Sequence, residues 1–174
     1  ELKRKNIDYR GVLYFGLMIT KSGPKVIEYN CRFGDPECQT IMPLMDNDFV
    51  TLLQKCAKGK LIGDEKIKTT DKYSGCVIAT SKGYPMNYVK GFPISFGNID
   101  IEDCQIFDSG TSLNSNGEFI TDGGRVLSIV CQGKDFDKVF EKAYKNLKEI
   151  NFEGIFYRKD IGHQVRIKNL KDEE

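Results

Sequence analysis

The run Ile27-Glu28-Tyr29-Asn30-Cys31-Arg32-Phe33-Gly34-Asp35-Pro36-Glu37 constrains this chain more than any other stretch. A carboxylate, a carboxamide and a guanidinium recur at every second position, and then Gly-Asp-Pro forces a turn. Alternate residues of a strand share a face, so Glu28, Asn30 and Arg32 are expected to point the same way. Two hard oxygen donors beside a fixed cation suit Mg²⁺ and phosphate oxygens. That combination points to phosphoryl transfer from a nucleotide. The competing reading is a solvated strand end. Against it, the strand is otherwise apolar, and a carboxylate leaving such a strand needs a partner or a metal.

The flanking residues supply the frame. Residues 1–8 are polar and read as the end of a helix. Residues 11–20 are almost continuously apolar, which fits a strand covered on both faces. Lys21-Ser22-Gly23-Pro24 is turn chemistry, so residues 25–30 complete a hairpin. Residues 36–44 suit a short helix capped by Asp35, and residues 47–58 carry apolar positions at helical spacing. Residues 63–73 are charged and without periodicity, a linker between a module of residues 1–62 and one of residues 63–174. The second module reads as short strands at 76–80, 94–96, 105–108, 119–121 and 126–131. An amphipathic helix over 135–150 follows, then a last strand near 152–157.

Charge and composition exclude several classes. Lys and Arg total 26 against 25 Asp and Glu, so the excess positive charge that non-specific nucleic-acid binding needs is missing. No apolar run approaches the ~20 residues of a membrane span, and no secretory signal segment is visible. The cysteines at 31, 38, 56, 76, 104 and 131 have no zinc-site spacing; several sit in apolar runs and read as buried free thiols in a reducing, cytoplasmic setting. His163 is the single histidine and lies in a polar terminal stretch, which argues against a His-dependent nucleophile. P-loop and Rossmann glycine signatures do not occur.

Three further stretches stand out. Gly123-Gly124-Arg125 lets backbone approach a ligand closely and offers a guanidinium to phosphate or carboxylate, or else it is a hairpin turn leading into a strand. Ser81-Lys82-Gly83-Tyr84-Pro85 is a substrate loop or a strand-end turn. Tyr157-Arg158-Lys159-Asp160-Ile161-Gly162 holds an expected Arg158–Asp160 ion pair, a feature more often structural than catalytic.

Taken together, these segments resemble one family. Gly11-Val12-Leu13-Tyr14-Phe15-Gly16-Leu17-Met18 and the run Gly23 through Glu37 are similar to phosphoribosylamine–glycine ligases, the glycinamide ribonucleotide synthetases of the ATP-grasp superfamily. So are Ala79-Thr80-Ser81-Lys82-Gly83-Tyr84-Pro85, Phe107-Asp108-Ser109-Gly110-Thr111, Thr121-Asp122-Gly123-Gly124-Arg125-Val126-Leu127 and the segment from Phe152 to Gly162. The resemblance implies an α+β chain: the C-terminal part of an ATP-grasp fold, then a small β-rich domain with one amphipathic helix. It implies ligation of glycine to 5-phosphoribosylamine through glycyl phosphate, with ATP as co-substrate and Mg²⁺ or Mn²⁺ as metal, in purine synthesis. Glu28 and Asn30 become the metal ligands that carry the nucleotide. Arg32 becomes the catalytic cation holding a transferring or substrate phosphate, Asp35 and Glu37 shape the substrate side of the loop, and Arg125 lies near the substrate cleft. Many ATP-grasp relatives place a further acidic ligand on the preceding strand, where this chain has Gly16. The superfamily's nucleotide-covering lobe, with its Lys and glycine-rich loop, is not in these residues. The chain, which starts at Glu1 without a methionine, is therefore expected to be part of a longer enzyme and inactive alone. Another ATP-grasp ligase or carboxylase, or a non-catalytic binding module, are the competing readings.

Overall fold

The longest helix shows how this sequence organises itself. Val139, Phe140, Ala143 and Leu147 recur at intervals of one to four residues, so a helix puts them on one stripe. In the computed structural model that helix is Phe136–Lys148, and all four side chains are buried. Asp135 caps its start by accepting the Lys138 N–H at 2.7 Å, and Lys145 and Lys148 sit in the last turn, where the helix dipole favours cations. Residues 1–61 and 66–166 are described by the structure. They divide into two compact units, one of residues 1–38 and 45–70, the other of residues 39–44 and those from 71 onward.

The first unit is built on a hairpin, β1 (Tyr14–Thr20) and β2 (Gly23–Asn30), joined by the two-residue turn Lys21-Ser22. It is a two-stranded sheet. β1 was expected to be covered on both faces; instead Gly16 is its one buried residue, and Ile19 is 76% exposed. No third strand or packed layer from the described residues lies over it, so its apolar side chains meet solvent. The expected N-terminal helix end is a single 3₁₀ turn, Lys3–Lys5. After the hairpin comes α1 (Glu37–Ile41), which begins one residue past the cis Asp35–Pro36 bond and continues as a 3₁₀ turn, Met42–Leu44. α2 (Phe49–Ala57) follows; its cap Asp48 accepts the Thr51 N–H at 2.7 Å, which holds that carboxyl below its ordinary range. Residues 45–47 pair with 66–69: Asp46 N–H donates to Lys68 O, and the Asn47 carboxamide bonds both Lys66 and Lys68. The far side of the expected linker is thus tied down, while residues 63–65 of it lie outside the described residues.

The second unit centres on an antiparallel sheet. β3 (Tyr73–Ser81), β5 (Cys104–Asp108) and β8 (Arg125–Gly133) join β10 (Ile155–Phe156) in the order β10-β3-β8-β5. Two small ladders flank it: β4 (Ser95–Phe96) with β9 (Ile150–Asn151), and β6 (Thr111–Leu113) with β7 (Phe119–Thr121). β3 buries every second residue, and a Cβ on its Gly75 would lie 2.8 Å from both Val139 and Phe140. The helix Phe136–Lys148, α3, therefore packs directly over that face, and glycine is what lets it approach. β8 is the central strand and buries Val126 through Cys131 without alternation, since both its faces are covered. β6 and β9 were not expected from sequence; three- and two-residue ladders carry too little alternation to be seen.

Two polar features of this core escaped the sequence reading. Asn146 is fully buried on α3 yet satisfied: its amide donates to Asp100 O at 2.8 Å and to Cys104 Sγ at 3.0 Å, and its carbonyl oxygen accepts the Asp100 N–H at 2.9 Å. Cys104 and Cys131 are not free thiols. They face each other on β5 and β8 with Cα atoms 4.1 Å apart and are joined as a disulfide. Directly opposed strand positions bring side chains that close. Cys31, Cys38, Cys56 and Cys76 are not disulfide-bonded, and they are exposed or half-buried rather than core residues.

Leu147 is 1% exposed in the heart of α3's packed face. Leu147→Ala is expected to destabilise the second unit by about 2–5 kcal/mol, read by urea unfolding. A loss below ~1 kcal/mol would contradict this packing.

Candidate functional site

The geometry around Glu28 and Asn30 starts from one irregularity. Leu17 pairs with Val26, but Gly16 pairs with Glu28, so Ile27 is an extra residue, a β-bulge in β2. Cross-strand partners share a face. Glu28 and Asn30 therefore share theirs with Gly16 and Tyr14, and Tyr29 shares the other with Phe15. The Phe15 and Tyr29 rings meet edge to face at 5.2 Å, leaving the Glu28–Asn30 side free of that aromatic pair. Gly16 has a visible role here: a Cβ there would stand 3.0 Å from Glu28 Cγ, so the Glu28 side chain lies across the glycine.

Arg32 does not continue this face. β2 ends at Asn30, and Arg32 sits in the bend beyond it, exposed, with Nη1 donating to Phe33 O at 3.1 Å. The loop closes through Glu37, whose Oε2 accepts the Gly34 N–H at 2.9 Å. That contact ties the loop to the first residue of α1. Asp35 is exposed and precedes the cis Asp35–Pro36 bond. Behind the strand end, burial and the adjacent Cys31 and Cys56 thiols push the Tyr9 hydroxyl up from its ordinary value.

Glu28 and Asn30 offer a carboxylate and a carboxamide oxygen, the donor types that Mg²⁺ accepts. Among the described residues no group of three or more His, Cys, Asp or Glu side chains could hold a metal ion. Two protein donors nevertheless fit Mg²⁺, which keeps several waters and takes substrate phosphates to complete its octahedron.

The second unit gathers its own loops. Because its sheet is antiparallel, the ends of β3 and β5 and the starts of β8 and β10 lie at one end of it. Ser81, Gly110, the Gly123-Gly124-Arg125 turn and Gly154 all fall there. The turn's carbonyls are fastened in succession: Gly123 O accepts the Ser81 hydroxyl, Gly124 O the Ser81 N–H, and Arg125 O the Gly110 N–H, at 2.8, 2.8 and 2.9 Å. Glycine is required where the loops cross, since a Cβ on Gly110 would lie 2.6 Å from Gly123 Cα and one on Gly124 2.1 Å from the Tyr84 ring. Arg125 is half-buried at the start of β8, opposite Thr80. Lys90 pairs with Asp122 at 3.4 Å. In the Tyr157–Gly162 segment the Arg158 guanidinium closes on Asp160 at 2.9 and 2.7 Å and holds that carboxyl below its usual range. The Tyr144 hydroxyl donates to Arg158 O and accepts from Ile161 N–H, so this segment is a closure on α3. His163 Nδ1 lies 2.8 Å from Asp160 O within the same closure.

Residues 74–164 match the family described as phosphoribosylglycinamide synthetase, C domain, and residues 1–38 match its ATP-grasp (A) domain. The chain belongs to the phosphoribosylglycinamide synthetase family. It is 48% identical over 160 residues to the phosphoribosylamine–glycine ligase of Caldanaerobacter subterraneus, covering 92% of this chain and 38% of that protein. It is 41% identical over 165 residues to the human trifunctional purine biosynthetic protein adenosine-3, covering 94% of this chain and 16% of that protein. Among solved structures, the phosphoribosylamine–glycine ligase of Thermotoga maritima superposes with a TM-score of 0.78 at 31% identity, over 91% of this chain and 39% of that one. A biotin carboxylase from Campylobacter jejuni shares the fold, with a TM-score of 0.63 at 20% identity over 90% of this chain and 35% of that one. This member of the phosphoribosylglycinamide synthetase family thus spans well under half the length of these relatives. Its fold is α+β, of the ATP-grasp kind in which the T. maritima ligase and the biotin carboxylase fall. No helix among the described residues is long and apolar enough to cross a membrane.

Gly124→Ala would drive a methyl group into the Tyr84 ring and is expected to cost about 1–3 kcal/mol. Gly117→Leu, at an open turn position with positive φ, serves as a control for backbone strain without the clash. Equal melting of Gly124→Ala and wild type would contradict the observed crossing of these loops.

Proposed function

We propose that this chain is the metal-holding hairpin and C-terminal domain of a phosphoribosylamine–glycine ligase, which joins glycine to 5-phosphoribosylamine at the expense of ATP. The observation that carries this reading is the face of β2 on which the bulge sets Glu28 and Asn30 opposite Gly16 and Tyr14. The 48% identity to a named ligase over nearly the whole chain supports the substrates. The domain boundary belongs to the same reading: residues 1–62 as the end of the ATP-grasp domain and residues 63–174 as the small C-terminal domain. So does a cytoplasmic setting.

In this reading Glu28 and Asn30 hold Mg²⁺ or Mn²⁺. Bound there, the metal would supply positive charge against the charge that builds during phosphoryl transfer. Arg32, beyond the strand, is long and always charged, and holds the transferring or substrate phosphate. Asp35 and Glu37 shape the substrate side of the turn, Glu37 by fixing Gly34. Arg125 faces substrate at the end of the second unit's sheet, its backbone carbonyl fastened to Gly110. The glycine carboxylate takes the γ-phosphoryl group to give glycyl phosphate. The amine of phosphoribosylamine then displaces phosphate and forms the amide. The exposed apolar side chains of Phe15, Leu17, Ile19 and Val26 suit cover by the rest of such an enzyme.

In the complete protein, Glu28→Ala and Asn30→Ala are each expected to lower turnover at least ~10²-fold, as loss of a transition-state charge contact does. Unchanged rates in a stopped or coupled ADP-release assay would favour a non-catalytic module. Bicarbonate in place of glycine should support no turnover; use of bicarbonate would point to a carboxylase instead. The polypeptide of these 174 residues alone is expected to form no product from ATP, glycine and phosphoribosylamine. Product formation by it, free of any complementing lobe, would contradict the account.

A further inference from the structure

Cys104 and Cys131, 27 residues apart, close a covalent ring. Inside it lie the rest of β5, the β6–β7 hairpin, the Gly123-Gly124-Arg125 turn and most of β8. The enclosed chain folds back on itself through backbone bonds. Ser109 N–H donates to Val126 O, Gly110 N–H to Arg125 O and Asp122 N–H to Gly110 O, at 3.0, 2.9 and 2.7 Å. The whole excursion that carries Arg125 is therefore bounded by one pair of sulfurs.

Those sulfurs are not what aligns the strands. The ladder bond beside them runs from Gln132 N–H to Asp103 O at 2.7 Å, while Cys104 N–H turns away to Ile101 O at 3.2 Å. The two cysteines thus hold the closely spaced, non-hydrogen-bonded kind of position, where side chains stand nearest. The entry to β5 is tied down separately: Lys72 pairs with Asp103 at 2.6 Å, and the Lys142 ammonium donates to Glu102 O at 2.7 Å. The ladder and these ties stay in place whether the sulfurs are bonded or not.

The two sulfurs are not equivalent. Cys131 lies on the central strand β8 and is fully buried, whereas Cys104 begins β5, the edge strand, and is 6% exposed. The Asn146 amide donates to Cys104 Sγ at 3.0 Å. An N–H donor favours the charged form of the sulfur it meets, and the thiolate is the nucleophile in disulfide exchange. Local opening of an edge strand exposes Cys104 before Cys131. Cys104 is the sulfur a reagent meets first, and Cys131 stands directly opposite to resolve it.

We propose that Cys104 and Cys131 form a reversible, redox-sensitive clasp on the excursion that carries Arg125. In the oxidising direction the Cys104 thiolate attacks one sulfur of a low-molecular-weight disulfide and expels the other half as a thiolate. Cys131, once deprotonated, attacks Cys104 Sγ in that mixed disulfide and expels the second thiolate. The two cysteines lose two electrons and two protons, and the small disulfide gains them as two thiols. Closing the ring removes loop freedom from every locally unfolded state of residues 105–130, so the excursion opens less often when the bond is present. The clasp does not depend on the ligase reading.

The test equilibrates the complete, folded protein in glutathione buffers from fully reduced to fully oxidised. Acid quenching, alkylation after denaturation and peptide mass spectrometry then count the free thiols at Cys104 and Cys131. Both are expected to pass from alkylated to bonded to each other within the glutathione range, and to return when the buffer is reversed. Hydrogen exchange on the same samples should show the Ser109, Gly110 and Asp122 amides exchanging at least about tenfold more slowly in the oxidised protein. Cys104→Ala should abolish that difference between the two buffers. A pair that stays reduced in oxidised glutathione, or stays bonded in reduced glutathione, overturns the proposal. So does conversion that leaves the three amides unchanged, or a difference that persists in Cys104→Ala.

Discussion

One extra residue in β2 decides which side chains of the hairpin share a face. By simple alternation Val26, Glu28 and Asn30 would all point the same way. The bulge at Ile27 breaks that parity, placing Val26 opposite Leu17 while Glu28 falls opposite Gly16. Apolar Phe15, Leu17, Val26 and Tyr29 collect on one side, and the two oxygen donors collect on the other. Were Ile27 paired in regular register instead of bulged, Glu28 would lie opposite Phe15, and the two oxygen donors would no longer be set apart from the apolar face. Gly16 completes the arrangement, because any side chain there would occupy the space that Glu28 crosses. Bulges re-aim side chains, and this one does so with a single residue.

The second unit solves a different problem. Its central strand β8 is buried on both faces, and α3 covers one of them, with Gly75 admitting the helix. This gives the unit a core of its own, from which the loops at one end of the sheet are hung. There the backbone does most of the holding: Ser81 and Gly110 tie the double-glycine turn and the start of β8, and Gly154 O accepts the Lys82 N–H just past β3. The loop is fastened through its carbonyls, which fixes its backbone in place. Rigid backbone with projecting polar side chains is what a binding site needs.

Much of this was legible in the residues. The α3 stripe, the hairpin and the α2 helix all follow from periodicity and turn chemistry, because each signal spans several residues. What failed did so for identifiable reasons. The continuous apolar run in β1 predicts a doubly buried strand, but such a run records what the strand is built to meet, and no layer of the described residues lies over it. Arg32 was placed with Glu28 and Asn30 by extending the alternation past the point where the strand ends. The bulge itself left no local mark, since Ile27 is an ordinary strand residue. Asn146 was hidden inside an apolar stripe, and the Cys104–Cys131 pair depends on a register between strands 27 residues apart, which spacing along the chain does not reveal.

The central claim is that Glu28 and Asn30 together hold the metal that carries nucleotide phosphates. A crystal structure of the complete protein with Mg²⁺ and a non-hydrolysable ATP analogue tests it most directly. The account predicts the Glu28 carboxylate and the Asn30 carboxamide oxygen on the ion at about 2.0–2.1 Å. An ion held by other residues, with these two side chains turned away from it, would contradict the account.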